Sequence, residues 1–233
     1  MKPKGKRMSS KYPWLTRALP FAVYMLFIVI HDLLKPVLPE NISTLYLTPI
    51  IYTLKITVVG ILLIVFWKKY NELRQFTFKF QPFILTAAVG VIVFVLWINM
   101  DWDFATMGGA DVYNPQNLPS PYYYLFIGIR LFGAAVVVPV FEELFWRSFI
   151  IRYIINPDFR SVRIGAFSWA SFLISAALFG AEHHFWMAGI MAGLIYNLLL
   201  YRTKHLWYCI IAHGLTNLIL GLYVIKTGNW IFW

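Results

Sequence analysis

Long stretches of mostly apolar residues recur along the chain, separated by short polar segments. Seven of them lie at 18–35, 47–67, 82–99, 124–151, 164–182, 185–201 and 206–225. A bilayer core about 30 Å thick takes about 20 apolar residues per helix, so each run predicts a transmembrane helix. The pattern predicts an all-α, polytopic bundle of about seven transmembrane helices.

Composition agrees with the pattern: 60% of the residues are hydrophobic, 19% aromatic and 13% charged, outside the range of soluble domains. The first run has a basic flank like that of a signal peptide, but no small-residue cleavage site follows it before His31 and Asp32, so it reads as a retained helix. Cys209 is the single cysteine, which excludes an intramolecular disulfide and a cysteine-based metal cluster. Repeats, low-complexity segments and a soluble second domain are not evident. The expected organisation is a basic tail over 1–17 and one transmembrane domain over 18–233.

The net charge of +10 would point to nucleic acid in a soluble protein, but the basic residues are placed by topology. Fifteen lie in the N-terminal tail and the second, fourth and sixth loops, whereas the other side offers only Lys35 and Lys226. Its largest loop, 100–122, holds Asp101, Asp103 and Asp111 without a basic residue. The positive-inside rule therefore predicts a cytoplasmic N-terminus and an outer C-terminus. No nucleic-acid partner is expected; membrane lipids are.

Most acids, Glu72 and Glu182 among them, fall in loops or at helix ends. Glu142 and Glu143 do not, and an ionisable group at membrane depth costs about 2.5–3.5 kcal/mol on insertion scales and faces a cavity or a partner. Adjacent helical residues point about 100° apart, so the two acids have separate partners. Glu143 and Arg147 have the i,i+4 spacing of an ion pair. Phe179 with His183 and His213 with Asn217 repeat that spacing in two further apolar runs, so Glu142, His183, His213 and Asn217 can converge on one polar pocket. There a buried glutamate can act as a base on water and a His/Asn pair can donate to an oxyanion.

The ordered motifs E-E-x-x-x-R, F-x-x-x-H and H-x-x-x-N, at 142–147, 179–183 and 213–217, resemble the type II CAAX prenyl endopeptidases and their bacterial relatives, the CAAX-protease and bacteriocin-processing group. The resemblance covers about 120–225, and the first three helices add nothing to it. It implies a glutamate-dependent intramembrane endopeptidase without a metal or other cofactor. Carried over by motif position, it makes Glu142 and His183 the activators of water and His213 and Asn217 the oxyanion site. Glu143 and Arg147 then hold the first motif in place, and Phe179 is structural. The implied substrate is a membrane-associated or lipidated protein or peptide cut near its C-terminus, in the cytoplasmic membrane of a prokaryote; a prenyl group does not follow, because bacterial relatives act on other substrates.

Other readings stand beside this one. The polar cluster can hold together a non-catalytic bundle that binds a peptide or lipid, or serve an immunity or sorting partner; a transporter is disfavoured by the lack of matching Gly/Pro-interrupted helices. Glu142 with His183 and His213 offers zinc three ligands, but no short chelating motif is present. His184 competes with His183. Lys55 and Arg130 are expected to snorkel to the outer surface. Depth is the misfit: Glu142 counts to mid-membrane and His183 to the outer end of its helix, so either the fifth helix starts later than 164 or Pro139 bends the fourth.

Overall fold

The computed structural model of the protein describes residues 12–39, 42–74, 76, 79–108 and 112–233, and all regular structure among them is helical. Lys2, Lys4, Lys6, Arg7, Lys11, Glu40 and Asp111 lie outside the described residues. Each of the seven apolar runs becomes a helix. In chain order these are α1 (Leu15–Leu34), α2 (Thr48–Phe66), the short α3 (Asn71–Arg74) and α4 (Phe80–Trp97). A single run, Tyr122–Ile155, contains α5 (Tyr122–Phe132), α6 (Val138–Glu143) and α7 (Ile151–Ile155) joined by π-helical turns. After it come α8 (Trp169–Ala181), α9 (Trp186–Thr203) and α10 (Leu206–Thr227). Among the described residues, five stretches are long and apolar enough to cross a membrane: Leu15–Leu34, Leu45–Lys69, Phe80–Trp97, Tyr122–Ile155 and Leu206–Thr227. The chain is an integral membrane protein.

The exposed faces are apolar: Leu26, Ile64, Phe80, Leu125 and Leu173 are all open, as side chains facing lipid tails must be. Burial therefore does not hold the bundle together, and close approach of small residues does. A Cβ on Gly214 would stand 2.6 Å from the Ala135 carbonyl oxygen, so α10 lies directly against the π turn before α6. Gly193 of α9 meets Ala176 of α8 at 3.0 Å by the same measure. The helix ends are set locally: the Ser168 hydroxyl accepts from the Ser171 N–H to cap α8 (3.1 Å), and Gly228 at φ +72° ends α10.

The fifth apolar run turns helical later than its hydropathy begins, one of the two expected ways out of the depth misfit. It becomes helical only at Trp169, five residues later than its apolar start at 164, because Gly165 takes φ +75° and Ser168 makes the cap. The thirteen-residue α8 spans about 20 Å at about 1.5 Å per residue, and α9 begins at Trp186. The hairpin tip at 182–185 packs at the C-terminal end of α4, where the His183 and Trp97 ring centres lie 5.3 Å apart, and Phe185 meets Phe232.

Glu72 overturns its placing as a loop charge. Its side chain is only 6% exposed and binds Arg17 at 2.8 Å, with Arg152 at 3.7 Å; Ser148 also donates to it. Arg17 donates in addition to the Lys69 carbonyl (3.0 Å), and Tyr70 donates to the Thr16 carbonyl (2.8 Å). One carboxylate thus ties α1 and α3 to the end of the Tyr122–Ile155 run. Burial by itself raises the Glu72 carboxyl, but the hydrogen bonds and charge of Arg17, with the Ser148 hydroxyl, hold it below its ordinary 4.5. A depressed carboxyl stabilises the fold fully above its unfolded value and loses that contribution as pH falls through the folded one. Glu72→Gln is expected to cost about 3–5 kcal/mol at neutral pH by leaving buried arginines unpaired, with the gap to wild type narrowing below pH 4.5. Thermal unfolding in detergent, followed by tryptophan fluorescence from neutral to acid pH, measures both; a gap independent of pH would refute this role.

Candidate active site

Pro139 shapes the backbone beneath the site. Lacking an N–H, proline cannot donate to the carbonyl four residues earlier, which is Ala135. The five residues before α6, Gly133–Val137, form a π turn, and backbone oxygens there serve other elements: the Asn217 amide donates to the Ala134 carbonyl at 2.9 Å, and Gly214 packs on that of Ala135. A second π turn, Leu144–Ile150, follows α6 directly. Glu142 and Glu143 sit on the one regular turn between two widened ones, an arrangement common at functional sites.

The two glutamates separate as their spacing predicts. Glu143 has no exposure, and its Oε1 accepts from Arg147 at 3.1 Å. The same oxygen lies 3.0 Å from His213 Nδ1, a contact the i,i+4 spacing did not reveal. Arg147, 1% exposed, donates to the Gly193 carbonyl (3.4 Å) and lies 4.5 Å from the Phe179 ring centre and 5.4 Å from that of Tyr196. Tyr196 also stacks on the His213 ring, 5.2 Å between centres.

Glu142, His183, His213 and Asn217 all line one cavity of about 270 Å³. Glu142 is 5% exposed, and its Oε2 is buried without a hydrogen-bond partner among the described residues, 3.9 Å from His213 Nε2. His183 Nδ1 lies 2.7 Å from the Phe179 carbonyl. A carbonyl only accepts, so the ring proton is on Nδ1 and Nε2 is left with a lone pair. His213 is fixed in the same way through Glu143. His184 instead places its Nδ1 2.6 Å from the Met107 carbonyl, tying the hairpin tip to the loop after α4.

Glu182 belongs to the site as well, although its position at a helix end hid it. Trp146 Nε1 donates to its Oε1 at 2.9 Å, and its Oε2 is buried without a partner. Ligand atoms of Glu142, Glu182 and His183 lie within 4.8 Å of one another, a separation that one water or one divalent cation bridges. As a donor set, two carboxylates and an imidazole suit zinc with an open fourth position; His213 is not in it, being turned to Glu143.

The two cations expected to snorkel do not. Lys55 is 9% exposed, with its Nζ 4.0 Å from the Tyr24 ring centre and 5.2 Å from that of Tyr52. Arg130 lines the cavity beside Tyr52 and Trp233.

Comparison with protein families matches residues 124–230 to the type II CAAX prenyl endopeptidase Rce1-like family. Comparisons with curated proteins and with solved structures find no match. The matched segment contains all three motifs and every residue that the resemblance assigned to the site. Over residues 124–230, a little under half of its length, the chain is similar to the Rce1-like type II CAAX prenyl endopeptidases.

Proposed function

We propose that the protein is a glutamate-dependent intramembrane endopeptidase that cuts a peptide bond near the C-terminus of a membrane-associated or lipidated protein or peptide, in the cytoplasmic membrane of a prokaryote. The observation that carries this is the convergence of Glu142, His183, His213 and Asn217 on one cavity, with both histidines holding Nδ1 elsewhere. A water between Glu142 and His183 loses a proton to Glu142 as its oxygen adds to the scissile carbonyl. The new oxyanion takes hydrogen bonds from the second Asn217 amide hydrogen and from His213 Nε2 when that ring is protonated, with Glu143 as counter-charge. Collapse breaks the C–N bond, and the proton held by Glu142 passes to the departing amine.

Glu142→Gln and His183→Ala are each expected to lower kcat by about 10²–10⁴, the usual contribution of a positioned acid or base, with thermal unfolding preserved. Turnover of a defined peptide by mass spectrometry, alongside the melting curve, is the measurement. A folded Glu142→Gln protein with wild-type turnover leaves only a binding or scaffolding role.

A second reading, hydrolysis by a metal-bound water, is favoured by Glu182. Prolonged chelation followed by assay separates the two: the glutamate mechanism keeps its rate, whereas the metal mechanism loses it and recovers with zinc.

Glu143 and Arg147 act as positioning residues. Arg147→Ala is expected to cost about 3–5 kcal/mol by leaving Glu143 buried and unpaired. Denaturation in detergent tests it; a stable variant impaired only in kcat would mean that the pair serves chemistry and not the fold.

A further inference from the structure

We propose that Arg130 and Trp233 form a subsite for the C-terminal carboxylate of the substrate peptide, which rests on the endopeptidase reading above. Both residues line the cavity that holds Glu142. The Arg130 guanidinium lies 5.0 Å from the Tyr52 ring centre and 5.3 Å from that of Trp233, and no carboxylate among the described residues lies within 4.0 Å of it. The other charged arginines of the interior, Arg17, Arg147 and Arg152, all have a glutamate. Trp233 adds an independent sign: its indole N–H is buried and has no acceptor among the described residues. Two donors without acceptors thus stand side by side at one end of the cavity.

Charge reinforces the site. Lys55 lies against the same Tyr52 ring as Arg130, 5.2 Å from its centre, and it too has no carboxylate within 4.0 Å among the described residues. Two cations around one tyrosine, Lys55 buried and Arg130 half-buried, make that part of the cavity wall a place for an anion. A guanidinium holds a carboxylate through two parallel N–H···O bonds, and a peptide cut near its C-terminus always brings one.

Arg130 precedes Glu142 by twelve residues on one helical run, which is about 18 Å at about 1.5 Å per residue. An extended peptide of about five residues spans that length at about 3.3 Å each. The carboxylate on Arg130 therefore sets which bond reaches Glu142, and the released fragment is about five residues long at most.

The test uses one S-farnesyl-cysteine peptide with three aliphatic residues after the cysteine, made as the free acid and as the C-terminal amide. Binding is measured to the full-length Glu142→Gln protein in detergent, and cleavage with wild type. The acid is expected to bind about ten- to a hundredfold more tightly than the amide, and Arg130→Gln in the same background to bring the acid down to the level of the amide. Trp233→Phe should weaken the acid alone, by a smaller factor. Equal affinity for acid and amide, or discrimination that survives Arg130→Gln, overturns the subsite. If wild type still cleaves both forms equally, the endopeptidase reading stands without it. If neither form is bound or cleaved, both fail.

Discussion

The ion pair between Glu143 and Arg147 is the constraint around which the rest of the bundle is arranged. Neither side chain reaches solvent, so neither charge has water to fall back on, and an isolated buried charge is strongly unfavourable. The pair must be enclosed by groups that offset its desolvation, and they come from three neighbouring helices: the Gly193 carbonyl from α9, the Phe179 ring from α8, and Tyr196 and His213 from α9 and α10. Even so, Glu143 Oε2 and Arg147 Nε have no hydrogen-bond partner among the described residues. Helices that contribute to so tightly rationed a set of contacts have little freedom to shift relative to one another.

From that enclosure the chemistry follows by adjacency. Glu143 holds His213 by Nδ1, which turns Nε2 toward Glu142, while a backbone carbonyl does the same for His183. Two imidazoles are thus set in one tautomer by two different acceptors.

Much of this was legible in the sequence. Unbroken apolar runs located all the long helices, because lipid-facing segments must be apolar whatever the tertiary packing. The i,i+4 spacings located the three motif pairs, because the helix itself dictates which residues share a face. What escaped depends on contacts between distant segments. Glu72 and Glu182 lie at helix ends, where an acid is ordinarily solvated; Arg17 and Trp146, far away in sequence, are what bury them. Lys55 has the length to snorkel, but the rings of Tyr24 and Tyr52 hold it inside. The start of α8 was misplaced because apolar residues continue past Gly165 and Ser168, whose turn and cap, not hydropathy, decide where the helix begins.

Tyr24, Tyr52 and Trp97, from α1, α2 and α4, are walls of the cavity, although none lies within residues 124–230. The part of the chain that carries the family pattern therefore does not enclose the cavity by itself. Cut free of the first three helices, it would leave Glu142 facing hydrocarbon on one side, with no polar chamber in which to keep a water. The leading helices make the cavity an interior, and sequence divergence there redraws the shape of the chamber without touching any residue of the three motifs.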